Sequence, residues 1–260
     1  MTSTPVTLPH LAFQKSAACG AKHAILSGDP GRIPLLAKAI DPHAHEIASH
    51  RGYLTYLAYY KELPILVSTS AIGGPSMAIV VEELALVGVQ EFLRVGTTGA
   101  IQPDIQLGDI IIPTGAVRLE GASEDYAPLA YPAVADFTLT HRLIQSAKQQ
   151  SRPAHVGIVA TTSTFYPGQE RYDTLSQYCP QRLVGTLREW QKLNVLSYEM
   201  ETATLFTMTQ AMGLRAGAYL VVVVNRARSE AIATEGLHTP GYFAESLLTG
   251  YLEQVVHGNL

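Results

Sequence analysis

A group of residues suited to binding an anion stands at positions 94–100, where one arginine, two threonines and two glycines fall within six residues. They follow an apolar pair, Phe92 and Leu93, that is typical of the end of a buried strand. Glycine lets a backbone approach a ligand closely, and arginine, hydroxyl and free N–H groups donate to phosphate oxygens. The segment predicts a phosphate-binding turn, although a Gly-Thr turn that merely leaves a strand has the same composition.

A second segment of this kind lies at residues 28–32, between an apolar run at 24–26 and a helix-like stretch at 33–40. A glycine turn with an arginine before a helix favours an anion, because helix N-termini carry free N–H groups and the positive end of the dipole. An ordinary strand-to-helix turn with a surface arginine explains the same residues. The spacing of a P-loop is absent, so hydrolysis of nucleoside triphosphates has no support.

Residues 165–172 place an aromatic ring, an amide and a cation within one short segment after a predicted strand. An aromatic face can stack on a flat ring, and the Gln169 amide offers one donor and one acceptor to an imide edge such as that of uracil. Arg171 could donate to a second carbonyl of the same ring. The competing interpretation is a helix that begins near Pro167, with Glu170 favouring its dipole, and the residues alone favour that interpretation.

Three more segments carry polar side chains that could serve a site. Residues 198–201 end one strand and open a helix, where a carboxylate could accept both hydroxyls of a ribose diol or could be an ordinary acidic first turn. Asn225 and Arg226 directly follow the most apolar strand, which makes them candidates at that strand end. His10 and the pair of His50 and Arg51 are further candidates. Taken singly, each of these residues is typical of the protein surface.

The composition and net charge of the chain restrict the functional classes to which it could belong. The chain has 260 residues, 47% of them hydrophobic and 15% charged, which is enough for one large domain and favours surface buried between subunits. A net charge of −4 without a basic stripe argues against nucleic acid as a partner. The longest apolar run, 216–224, is too short to cross a membrane. The two cysteines lack a motif and the start lacks signal-peptide features, which predicts a cytoplasmic protein.

Common cofactor and nucleophile motifs are missing from the sequence. The histidines at 141, 155, 238 and 257 and the cysteines at 19 and 179 show no metal-ligand spacing, so no zinc site is predicted. Neither a nucleophile elbow nor a dinucleotide-binding glycine turn is present. The sequence therefore predicts no metal and no organic cofactor.

Strand-like and helix-like stretches alternate along the chain without a repeat or linker, which predicts one α/β domain over residues 1–260 with a mainly parallel sheet covered on both faces. The predicted strands are 23–27, 53–60, 65–70, 91–95, 109–113, 155–161, 196–198 and 216–224, and the predicted helices are 33–40, 75–87, 139–149, 169–177, 199–212 and 242–257. Ligands of such folds lie beyond the carboxyl ends of the strands. Both arginine–glycine segments fall at that edge, so they are expected to meet.

Taken together, these segments resemble the nucleoside phosphorylase family, in its bacterial hexameric type. The similarity runs from His10 to about Arg226 and rests on the strings at 28–32, 48–51, 73–76, 92–103, 165–173 and 198–201. The phosphate segments are shared with purine members, whereas the 165–173 string is similar to members that act on uridine. The resemblance implies a nucleoside phosphorylase-like fold with a central mixed sheet flanked by helices. It also implies reversible phosphorolysis of uridine and deoxyuridine to uracil and the sugar 1-phosphate.

The same resemblance implies a role for individual residues in binding each part of the substrates. The residues implied to bind phosphate are Gly28, Arg32, Arg94, Thr97 and a neighbouring subunit's Arg51. The residues implied to bind ribose are Met200, Glu201 and that neighbour's His10. The base is implied to contact Phe165, Gln169 and Arg171, with Arg226 behind them. Of these, Arg94, Arg171 and Glu201 are the expected catalytic residues. A shared site implies a homo-oligomer whose smallest active unit is a dimer, assembled as a hexamer of three dimers.

Two departures from the family pattern modify these expectations. Hexameric purine members carry Ser-Asp, with an aspartate that protonates a purine ring nitrogen, where this chain has Asn225 and Arg226. Bacterial members that act on uridine often follow the His-Arg pair with a glutamate that helps to hold a monovalent cation between subunits. Gly52 stands there in this chain. The first departure disfavours purine chemistry, and the second argues against a cation site.

Three alternatives stay open on the sequence. A purine phosphorylase or a nucleosidase could use the same fold, and dependence of turnover on phosphate separates a nucleosidase from a phosphorylase. A pyrimidine phosphorylase could prefer deoxyribose, because Glu201 could accept from the 3′-hydroxyl alone. A non-catalytic nucleoside-binding protein is disfavoured, since a binder needs no phosphate beside the sugar.

Overall fold

The computed structural model describes residues 7–150, 152–233, 235, 239 and 241–258. Within these residues the strands are β1 (His23–Ser27), β2 (His45–His50), β3 (Tyr53–Tyr60), β4 (Leu63–Thr69), β5 (Glu91–Ala100), β6 (Ile110–Leu119), β7 (Ala133–Val134), β8 (Ala154–Thr162), β9 (Ser197–Glu199) and β10 (Arg215–Asn225). The helices are α1 (Ile33–Ile40), α2 (Gly74–Val87), α3 (Phe137–Ala147), α4 (Thr186–Lys192), α5 (Thr202–Ala211) and α6 (Glu245–His257). None of these helices is long and apolar enough to cross a membrane.

The strands form one mixed sheet in the order β10-β6-β8-β9-β5-β1-β4-β3-β2, with β7 beside β6. A further pairing joins β10 to β5, so β5, β10, β6, β8 and β9 close into a ring. The central mixed sheet implied by the family resemblance is confirmed. The mainly parallel sheet predicted from strand–helix alternation is confirmed for the central strands, since β1 pairs in parallel with β4 and β5, β5 with β10, and β8 with β6 and β9. The β2–β3–β4 hairpins and the short pairings of β6 with β10 and of β5 with β9 are antiparallel.

Helices cover both faces of the sheet. Side chains of α2 and α5 share one apolar cluster, and those of α1, α3 and α6 share another. Along β1, Ala24 and Leu26 enter the first cluster and Ile25 the second, because successive side chains of a strand point to opposite faces. A strand buried on both faces has a continuous apolar sequence, which is why β1 could be recognised from the sequence, whereas its neighbour β5 was recognised only from the apolar pair at 92–93.

The predicted helix at 169–177 is wrong. A 3-10 turn at Pro167–Gln169 ends at Glu170, whose φ of +53° is left-handed and does not continue a helix. The Glu170 carboxylate accepts from the backbone N–H groups of Gly185 at 2.6 Å and Leu187 at 2.7 Å. It therefore caps α4, a short helix that the sequence analysis missed together with β2 and β7. Of the other predicted elements, β1, β3 and α1 are confirmed with the predicted ends, and the rest are confirmed with shifted ends.

Residues 94–100 are a second correction, because they continue β5 to Ala100 instead of forming a turn. Gly96 lies inside the strand, where an added Cβ would be 2.9 Å from Arg94 Cζ and 2.9 Å from Leu220 Cδ2. Such a contact is too close for a real Cβ atom. The glycine therefore gives the Arg94 guanidinium room to lie across its own strand.

A two-residue turn at Arg51 and Gly52 joins β2 to β3. Their φ angles are +52° and +85°, and positive φ at both central residues is typical of the type I′ turn that matches the twist of a hairpin. Arg51 is exposed, and β2 is an edge strand of the sheet. The hairpin therefore presents Arg51 at an outer corner of the molecule.

Candidate functional site

A cavity of about 440 Å³ collects residues from the β1–α1 turn, β5, the segment after β8, the β9–α5 junction and the end of β10. Nine of the predicted site residues line it: Gly28, Arg32, Arg94, Thr97, Phe165, Gln169, Arg171, Met200 and Glu201. The two arginine segments meet because β1 pairs in parallel with β5, with Leu26 opposite Arg94. The cavity therefore has cations at one end and a planar amide and an aromatic ring among its other walls.

Two buried guanidinium groups share the cation end of the cavity. Arg32 is 9% exposed and Arg94 3% exposed. Burial lowers the pKa of Arg32, Arg94 lowers it further, and the nearby Asp29 carboxylate opposes both effects. An added Cβ at Gly28 would approach the carbonyl oxygen of Ala71 to 3.1 Å, so glycine suits the crowded turn beside them. An anion bound here would relieve the repulsion between the two cations.

Arg94 connects this end of the cavity to two buried carboxylates. Its Nη2 atom lies 2.6 Å from Oε2 of Glu201 and 3.3 Å from Oε2 of Glu199. Glu199 also accepts from the Thr161 hydroxyl and from the backbone N–H of Thr202, so it caps α5. The sequence analysis identified the acidic pair but assigned no role to Glu199, whose place at the start of the predicted helix 199–212 was the available signal.

Glu201 is the carboxylate best placed to accept from a ligand. It lines the cavity, and its Oε1 atom accepts from the backbone N–H of Gly73 at 2.6 Å. Burial raises the pKa of Glu201, Arg94 opposes that shift, and Glu199 adds to it. Arg94 and the Gly73 N–H thus hold this buried carboxylate in one orientation.

The base-side residues form a second ion-pair network. Arg171 lies with its Cζ atom 4.3 Å from the centre of the Phe165 ring, and its Nη1 atom donates to Glu230 at 2.6 Å. Arg226 donates to both Glu230 oxygens at 2.9 Å and to the backbone carbonyl of Gln169. Burial lowers the pKa of Arg171, and the Arg226 charge lowers it further. Glu230, which the sequence analysis did not assign, balances both cations; its i+4 spacing from Arg226 was the signal for it.

Three predicted site residues do not line this cavity. Arg226 lies behind Gln169, as the family resemblance implies. His10 is held on the surface by Glu83, which accepts from its Nδ1 at 2.6 Å and from its backbone N–H at 3.0 Å. The Nδ1 atom of His50, the neighbour of Arg51, lies 3.0 Å from the carbonyl oxygen of His10. His10 and the Arg51 hairpin are therefore adjacent to each other and outside the lining of their own chain's cavity.

Metal ligands are not grouped in the part of the chain that the structure describes. No three His, Cys, Asp or Glu side chains there are placed to hold a metal ion. His238, one of the histidines considered in the sequence, lies outside the described residues. The charged and amide side chains that line the cavity are those of Asp29, Arg32, Arg94, Gln169, Arg171, Glu199 and Glu201.

Comparison with known proteins covers most of the chain. Residues 22–247 match the model of a family described as the phosphorylase superfamily. The chain is 49% identical over 221 residues to a uridine phosphorylase of Klebsiella aerogenes, covering 85% of this chain and 87% of that protein. It is 48% identical, with the same coverage, to a uridine phosphorylase of Escherichia coli (strain K12). It is 37% identical over 216 residues, 82% of either chain, to a guanosine phosphorylase of Halorubrum lacusprofundi.

Proposed function

The chain belongs to the phosphorylase superfamily, and from that premise we propose that it is a pentosyltransferase that catalyses the reversible phosphorolysis of uridine and of deoxyuridine. The products are uracil and the corresponding sugar 1-phosphate. Relatives named for uridine share nearly half of their residues with it over most of the chain. Inorganic phosphate is the co-substrate, and no other cofactor is proposed.

Arg32 and Arg94, with Thr97 and the Gly28 turn, hold phosphate beside the sugar. Glycosyl transfer proceeds through a state in which the sugar resembles an oxocarbenium ion, so a bound dianion stabilises the positive charge that develops at C1′. The C1′–N1 bond breaks, and a phosphate oxygen forms the new bond to C1′. No side chain needs to form a covalent intermediate.

Glu201 and Met200 contact the ribose, with the Glu201 carboxylate accepting from its hydroxyl groups. The 2.6 Å contact between Arg94 and Glu201 links the phosphate and ribose positions. Since Arg94 lies at the phosphate position and also contacts the carboxylate that is proposed to bind ribose, a displaced Arg94 would disturb the binding of the nucleophile and of the sugar together. We assign Arg94 and Glu201 catalytic roles for this reason.

The departing base becomes anionic, and donors aimed at its carbonyl groups stabilise that charge. Gln169 is 3% exposed and Arg171 2% exposed, so their hydrogen bonds act in a site from which water is largely excluded. Preorganised donors of this kind typically contribute about 3–4 kcal/mol each to the stabilisation of a transition state. Phe165 provides the aromatic face for the ring.

The purine alternative is disfavoured by the environment of Asn225. Its Nδ2 atom donates to the carbonyl oxygens of Gln102 at 2.8 Å and Ile105 at 2.6 Å, and its Oδ1 accepts from the backbone N–H of Ala227. The side chain therefore anchors the end of β10 and offers no acid to a purine nitrogen. Arg226, the next residue, is equally unable to act as an acid.

The observation that carries the proposal is the single cavity in which Arg32, Arg94, Gln169, Arg171 and Glu201 meet. Purified protein should release free uracil from uridine only when inorganic phosphate is present. Release of uracil in phosphate-free buffer would identify a nucleosidase. No turnover of uridine or inosine, with both still bound, would identify a nucleoside-binding protein.

The site is proposed to be completed by a second copy of the chain, which would supply His10 and Arg51. Both residues lie on the surface next to each other and do not line their own cavity. The proposed assembly is a dimer as the smallest active unit, arranged as a hexamer of three dimers. The proposed location is the cytoplasm, where nucleosides and phosphate are both available.

Gln169→Ala is expected to lower kcat/KM for uridine much more than for inosine. Truncation of the Gln169 side chain leaves polar groups of the uracil base unpaired, at a cost of about 1–3 kcal/mol. The backbone carbonyl of residue 169, which accepts a hydrogen bond from Arg226, is kept in the variant. Initial rates with both nucleosides measure the change. Gln145→Ala on α3 is the matched control, because that amide bonds to His141 outside the cavity. An equal loss for both nucleosides, or a wild type that prefers inosine, would refute the assignment.

Potassium or ammonium is expected to change the melting temperature little. A ligand stabilises a protein only in proportion to its binding to the native state, and Gly52 offers no carboxylate where a cation ligand is expected. Its φ of +85° is strained for other residues, so the turn itself favours glycine. Melting is compared with an organic cation at the same ionic strength. A large rise specific to potassium contradicts the prediction.

A further inference from the structure

An aromatic ring from the C-terminal part of the chain lies against the phosphate-side cation of the cavity. The Cζ atom of Arg32 is 4.5 Å from the centre of the Phe243 ring. Phe243 is 1% exposed and Arg32 9% exposed, so water does not screen the contact. A guanidinium this close to an aromatic face is attracted by the ring's quadrupole, and most strongly when both groups are desolvated.

Hydrogen bonds among the described residues do not fix Arg32. Its Nε atom is buried without a hydrogen-bond partner there, and the Asp29 carboxylate is 3.6 Å from it. Burial and the nearby Arg94 lower the pKa of Arg32, and the Asp29 carboxylate opposes these effects. The face of the Phe243 ring is therefore, beside the Asp29 ion pair, a contact that favours the charged guanidinium in this position.

The backbone before and after Phe243 is itself held in place. Arg152 donates from Nη1 to the carbonyl oxygen of Tyr242 at 2.6 Å and from Nη2 to that of Gly241 at 2.8 Å. The Tyr242 and Phe243 rings meet edge-on at 5.2 Å. Ala244 then begins the turn into α6 with a φ of +51°. The short segment 241–244 is thus fixed at both ends around Phe243.

We propose that Phe243 is a positioning residue for phosphate binding, which holds the Arg32 guanidinium in the orientation that an anion in the cavity requires. The inference rests on the proposed function, because it assigns Arg32 to the phosphate. It adds a contribution from a part of the chain that lies 211 positions after Arg32 and outside every segment that predicted the site. Phe243 itself does not line the cavity.

The test is the affinity of the intact protein for inorganic phosphate, measured by calorimetric titration, together with the two Michaelis constants. Phe243→Leu is expected to raise both Kd and KM for phosphate about tenfold, as expected for loss of a desolvated cation–π contact. KM for uridine should stay unchanged. Phe243→Tyr keeps the ring and should restore most of the affinity.

Tyr251→Leu is the matched control, because it removes a buried ring of α6, the helix that follows Phe243, and the charged neighbours of that ring are Glu91 and Arg142 instead of Arg32. Equal effects of the two leucine variants on phosphate affinity would mean a general loss of structure and would overturn the proposal. So would an unchanged phosphate affinity in Phe243→Leu.

Arg32→Ala separates this inference from the function on which it rests. If Arg32→Ala does not weaken phosphate binding, the proposed phosphate site is wrong. If Arg32→Ala weakens it and Phe243→Leu does not, only the role of Phe243 is wrong. Adding Phe243→Leu to Arg32→Ala should cause no further loss, because residues that act through one contact are not additive.

Discussion

Arg94→Ala is expected to lower turnover of uridine with phosphate by at least about 10²–10³-fold, the usual effect of removing one preorganised charge-stabilising donor. The loss should be larger than for Thr97 variants, because Arg94 contacts Glu201 as well as facing the phosphate position. Steady-state kinetics with varied phosphate measure it. Arg188→Ala, which removes an exposed arginine of α4, is the control and should behave like the wild type. Normal turnover with unchanged phosphate affinity in Arg94→Ala would refute the assignment.

The same variant is expected to be folded but less stable. Removing Arg94 leaves Glu199 and Glu201 buried without their cation, and breaking a buried pair in this way costs about 3–5 kcal/mol. The pKa of Glu201 is already raised by burial and loses the opposing contribution of Arg94. A carboxyl whose folded pKa lies above its unfolded pKa destabilises the native state when it is ionised. The stability deficit in urea unfolding should therefore be large at pH 7 and shrink in mild acid.

Mixed dimers of Arg51→Ala and Arg94→Ala chains are expected to regain about half of the wild-type activity, although each parent is nearly inactive, because a symmetric dimer has two reciprocal sites. The cavity of the Arg51→Ala chain keeps its own Arg94 and receives an intact Arg51 from its partner. The opposite cavity lacks both. Arg51 is exposed on the two-residue turn between β2 and β3, where a second chain can reach it.

The two variants can be expressed together with different affinity tags, purified through both tags, and assayed with uridine and phosphate. Mixed dimers of wild type and Arg94→Ala provide the reference for one intact site. If verified mixed dimers of the two variants are no more active than either parent, Arg51 does not act across the interface. If Arg51→Ala alone keeps normal phosphate affinity, Arg51 is not a phosphate ligand at all.

Local patterns in the sequence were sufficient to predict the type of most helices and strands. Helix α1 shows its buried apolar residues at helical spacing, and β1 and β10 contain continuous apolar runs, so their types were predicted correctly. The failures share a cause, since each depends on contacts distant in sequence. The segment after Pro167 has the composition of a helix start, yet Glu170 caps α4 instead. No local pattern distinguishes those two outcomes.

The sequence by itself supplied the candidate residues of the site, because the residue types at 28–32, 94–100, 165–172 and 198–201 suit anions, a flat ring and a diol, although each segment taken alone also fits an ordinary turn or helix start. Only the tertiary structure decided how those groups are connected. Arg94 contacts Glu201 and Glu230 bridges Arg171 and Arg226. Phe243, which belongs to the C-terminal part of the chain, lies against Arg32. The type of each side chain is given at its own position in the sequence. Its burial and its charged partners are set by segments that are distant in sequence and pack against it only in the folded chain.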